Sequence, residues 1–176
     1  MKILAIDVQY YENEAQISGV IFSDFKTNNI DEIITFKTGK MESYIPGQFY
    51  KRERPIILEL LNKIDYRIDY IIIDGYVFLG KEKKPGLGKY LYDSIQKLDN
   101  KFLSDCSIIG VAKNRFIDTP KSCEIFRGVS KKPLYVTSVG LSLDDAKEKI
   151  LSMYGKYRIP FILKRVDQAC RGIEFT

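Results

Sequence analysis

The 176-residue sequence contains no histidine and no tryptophan. Without an imidazole, Ser-His-Asp and Cys-His hydrolysis, HExxH zinc chemistry and Cys2His2 fingers are all excluded. Cysteine is scarce too: Cys106, Cys123 and Cys170 form no CxxC pair, and an odd number leaves one over in any disulfide scheme. They read as reduced thiols of a cytoplasmic protein. No apolar run approaches the roughly 18 residues of a membrane span, and the start MKILAIDVQYYENEAQ turns polar too early for a signal peptide. Chemistry is left to carboxylates, lysine, arginine, tyrosine, hydroxyls and thiols.

Apolar residues make up 45% of the chain and the formal net charge is +5. This supports a single domain over residues 1–176 with one sizeable core, and it permits a polyanionic partner without requiring one. β-Branched runs at 2–10, 15–25 and 32–37, joined by short polar connections, predict an antiparallel meander. The period then changes: Phe49, Ile56, Ile57, Leu60, Leu61 and Ile64 predict a helix over 47–64 despite Pro55. YIIID at 70–74 and CSIIGVA at 106–112 read as buried strands, separated by the loop GKEKKPGLGK and a helix at 89–101. A strand at 134–139, a helix opening at Ser142 with Asp145 three residues on, and a last helix at 159–171 complete the order. Three antiparallel strands followed by strands joined through helical crossovers give a mixed α/β sheet, parallel in its later part, with helices on both faces. This is the ribonuclease H-like arrangement.

Two carboxylates interrupt the apolar strands. Asp7 sits inside ILAIDVQY and Asp74 ends YIIID; in the expected topology the two strands are parallel neighbours roughly 5 Å apart, so both acids can reach one site. An Asp-Gly turn would also account for Asp74, and a buried salt bridge for Asp7. An unpaired carboxylate in such surroundings costs several kcal/mol, and a shared metal ion relieves both. Glu53 lies in KRER, a solvated charge run at first sight, yet it shares a helical face with Phe49, Ile56, Ile57 and Leu60. Hard oxygen donors from three elements suit Mg²⁺, with Mn²⁺ as a substitute. Lys51, Arg52 and Arg54 flank Glu53, and Lys81, Lys83, Lys84 and Lys89 follow Asp74. Acids with a metal in a basic protein suggest phosphodiester hydrolysis; GLGK lacks the spacing of a P-loop.

The segments AIDVQY, SYIPGQFYKRERPIILELL, IIIDGYVFLG, IIGVAKNRF and KPLYVTSVGLSLDDAKEKILSMYGKYRIPFILKRVDQACR resemble, in order and over nearly the whole chain, the endonuclease V family, which nicks beside deoxyinosine or inosine. The Tyr-x-Pro-Gly…Arg-Glu-x-Pro block is the most specific of them. The resemblance implies that Asp7 and Asp74 hold a catalytic metal, that Glu53 orients water or a second ion, and that Lys113 faces the scissile phosphate. It implies an acidic role near the metal for Asp167, which as a helix-surface acid could equally pair with its neighbouring arginines. Tyr44, Ile45 and Pro46 match the wedge that fills the gap left by the modified base. Gly47 and Gly75 match positions whose backbone lines the base pocket, and Arg52 joins the nucleic-acid contacts. The implied partner is DNA or RNA with a deaminated base, bound by a cytoplasmic monomer away from any membrane.

Two departures stand out: Leu141 in SVGLS replaces a histidine of the family pattern, and FLGKEKKPG replaces a His-Pro-Arg segment. They leave open a catalytically impaired nucleic-acid-binding homologue. Another ribonuclease H-like nuclease would share the acids but not the 44–53 block.

Overall fold

The computed structural model describes residues 1–39, 43, 45–46 and 48–173. Tyr44 and Gly47, expected at the wedge and base pocket, therefore lie outside the described residues.

The expected meander is present as β1 (Ile3–Tyr10), β2 (Ala15–Phe22) and β3 (Glu32–Thr38). The chain then crosses through helix α1 (Phe49–Leu61) into β4 (Tyr70–Asp74), and through α2 (Leu87–Lys97) into β7 (Ser107–Ala112). Between β4 and α2 it forms a small hairpin, β5 (Phe78–Leu79) with β6 (Lys84–Pro85), so part of GKEKKPGLGK is ordered structure. Two further strands, β8 (Glu124–Ile125) and β9 (Leu134–Val139), precede α3 (Leu143–Ser152) and α4 (Phe161–Cys170). Ser142 caps α3 by accepting the Asp145 N–H at 3.1 Å.

The main sheet has the order β3-β2-β1-β4-β7-β9-β8. β1, β4 and β7 are mutually parallel, whereas β9 runs antiparallel to β7. The parallel series thus stops earlier than the sequence suggested. The reason lies in the connection: between β7 and β9 there is only a 3-10 turn at Lys121–Cys123 and the short β8, and no helix carries the chain back across the sheet.

Each face of the sheet carries a helical layer. Ile56, Leu60, Leu91 and Ile95 of α1 and α2 pack with Leu4, Ile17 and Ile71 on one side. On the other, Ala146 and Ile150 of α3 and Ile162 and Val166 of α4 pack with Ala5, Val20, Ile72 and Val136. Pro55 sits within α1 on its exposed side, where the lost hydrogen bond opens toward water. No helix among the described residues is long and apolar enough to cross a membrane.

Candidate active site

The register of the central strands brings the acids together. Ile6 pairs with Ile73, which places Asp7 and Asp74 side by side one residue further along, at the carboxyl ends of two parallel strands. Asp74 in turn stands opposite Val111, so Lys113 emerges just past the end of β7. Its ammonium donates to Asp74 Oδ2 at 2.7 Å. Asp7 Oδ1 accepts the Val8 N–H at 2.8 Å. Burial pushes the Asp7 carboxyl up to about 6 and the Asp74 charge adds to this, while Lys113 and the Val8 N–H pull the other way.

Glu53 points inward from α1, as its helical phase predicted, and is 5% exposed. Its Oε2 is buried without a hydrogen-bond partner. Burial, followed by the charges of Asp7 and Asp74, raises its pKa well above the usual carboxylate range, and Arg52 opposes them. Arg52 places its guanidinium 3.9 Å from the centre of the Tyr10 ring. Lys113 is desolvated, which disfavours its charge, but the hydrogen bond and carboxylates of Asp74, together with Asp7 and Asp167, outweigh this and raise its pKa. Asp167 is held by Arg171 at 3.0 Å, and its charge is felt at Asp7 and Lys113.

Among the described residues no three His, Cys, Asp or Glu side chains stand close enough together to cage an ion. The donor set nevertheless fits a hard cation. Two adjacent carboxylates and a third buried carboxylate oxygen without a partner outnumber the two cations that act on them, Lys113 and Arg52.

Beside Asp74 a cleft opens between the start of α1 and the start of α2, lined by Tyr50, Gly75, Tyr76, Leu79, Pro85 and Gly86. Gly75 has φ +138°, a conformation closed to most side chains, and Gly110 of β7 leaves room for it: a Cβ on Gly110 would sit 2.6 Å from the Gly75 carbonyl oxygen. Tyr50 stacks on Tyr90 with ring centroids 3.8 Å apart, forming one side of the cleft. Ile45 is exposed and Pro46 follows it in a turn, both near the entrance to α1.

Several members of this neighbourhood escaped sequence reasoning. Tyr10 has a buried hydroxyl without a partner whose pKa is raised by burial and by Glu53. Its phase in β1, shared with Leu4, Ile6 and Val8 on the face that α1 covers, was the available signal. Cys170 is buried against Asp7, its thiol pushed up to about 12 by burial and the nearby carboxylates; nothing in its sequence context marks it. Leu141 differs from expectation. Val139 pairs with Ile108 near the amino end of β7, so Leu141 lies at the edge opposite the acids, roughly 15 Å away at 3.3 Å per residue. It lines a separate cavity with Phe78, Thr119, Cys123 and Leu143. The leucine therefore removes nothing from the acidic cluster itself.

The family profile described as endonuclease V matches residues 1–168. The chain belongs to the endonuclease V family. Among endonuclease V relatives, that of Pyrococcus abyssi is 32% identical over 177 residues, covering 97% of this chain and 79% of the relative. That of Streptomyces avermitilis is 27% identical over 192 residues with the same coverage of each. A crystal structure of Ciona intestinalis endonuclease V, in complex with a 24mer DNA containing an inosine followed by a ribo-adenosine, superposes with a TM-score of 0.72 at 18% identity, covering 97% of this chain and 84% of that one. The endonuclease V fold is ribonuclease H-like, and the mixed sheet described above is its framework.

Proposed function

We propose that this endonuclease V family member is a divalent-metal-dependent endonuclease of the cytoplasm, monomeric, that hydrolyses a phosphodiester bond near a deaminated purine, deoxyinosine or inosine, in DNA or RNA. The observation that carries the reading is the buried Glu53 Oε2, partnerless and electrostatically coupled to Asp7 and Asp74 at the carboxyl ends of two parallel strands. Such a carboxylate is costly to keep in a fold unless a ligand uses it. The free, buried thiols of Cys106, Cys123 and Cys170 agree with a reducing compartment.

Asp7, Asp74 and Glu53 would hold Mg²⁺ or Mn²⁺, with Asp167 adding negative charge nearby. A bound divalent ion supplies an activated water and neutralises charge on the leaving oxygen. Lys113, held by Asp74, is placed to offset charge on the scissile phosphate, and its raised pKa keeps it cationic. The cleft beside Asp74 is of a size for one flipped base, about 150 Å³. There the backbone of Gly75 can approach the hypoxanthine edge, a role the resemblance also implies for Gly47. Ile45 and Pro46, with Tyr44, fit the wedge that occupies the vacated stack. Arg52, whose guanidinium lies over Tyr10 and whose charge partly offsets that of Glu53, remains the nucleic-acid contact that the resemblance implies.

The test is incubation of the purified protein with an inosine-containing oligonucleotide and its adenosine counterpart, with Mg²⁺ or Mn²⁺ and with chelator. Nicking confined to the inosine strand, lost on chelation and in Asp7→Ala and Asp74→Ala, is the expected result. Cleavage surviving both substitutions overturns it; inosine-selective binding without cleavage assigns a binding role instead.

A further inference from the structure

On the far side of the acids from the base cleft, a groove of about 480 Å³ runs between α4 and the segment 153–160. It is continuous with the acidic site, because Lys113, Ile159 and Leu163 line both. Tyr157, at 67% exposed, stands on its wall with the Lys156 ammonium 5.6 Å from its ring centre, and Lys164 completes the rim. Neither lysine forms an ion pair among the described residues, while the one acid lining the groove, Asp167, is held by Arg171.

An exposed tyrosine on a mobile loop would mean little, but this loop is built. Arg127, only 6% exposed, directs its guanidinium to the carbonyl oxygens of Tyr157 at 2.8 Å, Gly155 at 3.0 Å, Arg158 at 3.4 Å and Met153. Arg158 donates to the carbonyls of Pro133 at 2.8 Å and Lys132 at 3.1 Å, and to that of Lys113 itself. Two arginines thus spend their donors on main-chain oxygens and hold the backbone that carries Tyr157 against that of Lys113.

We infer that this groove is a track for single-stranded nucleic acid, stacking a base on Tyr157 and passing its phosphates along Lys156 and Lys164, on the side of the cut away from the modified base. The inference rests on the nuclease reading for its direction. A rigid aromatic face between cations is the arrangement that binds unpaired bases irrespective of sequence.

The experiment uses fluorescein-labelled single strands carrying one inosine, with either one or eight nucleotides beyond the cleaved bond, bound by wild type, Tyr157→Ala, Tyr157→Phe and Lys164→Gln. The longer flank should bind roughly tenfold more tightly. Tyr157→Ala should erase that gain and Tyr157→Phe keep it, while Lys164→Gln should lower the salt slope by about one. Cleavage of the short-flank strand should be unchanged in all three variants. Equal affinity for both flanks in wild type, or a gain retained in Tyr157→Ala, overturns the track. An equal loss on blunt duplex, whose bases are unavailable for stacking, overturns the assignment to single strands. Failure of the nuclease reading is seen separately: no strand is cut, yet anisotropy of an unmodified single strand still falls with Tyr157→Ala.

Discussion

At the scale of single residues, Asp7 and Lys113 work against each other. A carboxyl raised to about 6 in the fold from 3.8 is bound more weakly as an anion than in the unfolded chain. The native state therefore holds more protons than the unfolded state between those values, and stability falls as pH rises through that window. The two-unit difference corresponds to about 3 kcal/mol. In urea unfolding of the metal-free protein, stability should drop between pH 4 and pH 6.5, and Asp7→Asn should flatten that drop; an identical profile in the variant would place the burden elsewhere. Lys113→Ala removes the counter-ion of Asp74 and the group expected at the phosphate. Single-turnover cleavage should fall roughly 100-fold, as for loss of one preorganised charge-stabilising donor, with binding of the inosine strand much less affected.

Among the secondary-structure elements, β7 matters beyond its pairing. Gly110→Ala would place a methyl 2.6 Å from the Gly75 carbonyl and 2.8 Å from Thr137 Oγ1, which accepts the Val77 N–H. Neither neighbour can withdraw cheaply, so a loss of about 2 kcal/mol in stability is expected. Because Gly75 borders the cleft proposed for the base, cleavage should fall further than the stability change accounts for. Thermal unfolding beside initial rates checks both. Arg127→Met should lower Tm by leaving four carbonyls of the 153–158 segment without their donor, while cleavage of short strands persists.

The elements also show how far sequence carries. Asp7, Asp74 and Glu53 were legible because each breaks or obeys a period: an acid in a β-branched run stands out, and the spacing 49, 53, 56, 57, 60 fixes which way Glu53 points. The reversal of β9 was not legible, since strand direction is set by what lies between strands, and 113–133 gives no periodic signal of its own. Cys170 and Tyr157 were hidden for another reason. What makes each notable is a neighbour far away in sequence, Asp7 for one and Arg127 for the other.

For the whole molecule, the acids define a linkage between metal, protons and folding. Ligands must be deprotonated to bind a cation, and Asp7 and Glu53 both resist ionisation in the metal-free fold. The Tm increment produced by millimolar Mg²⁺ or Mn²⁺ should be small at pH 5 and grow toward pH 8, and Glu53→Gln should reduce it. An increment independent of pH would point to binding away from these carboxylates.

The path of the last helix has a consequence in time. The helix Phe161–Cys170 that covers β1 and β2 is made more than 150 residues after Asp7. Until it docks, Asp7 lacks the cover of that helix, and Cys170 and Asp167 are still absent from its side. A chain emerging during synthesis thus carries its acids early but acquires its site late. Cutting is deferred until the sheet is closed.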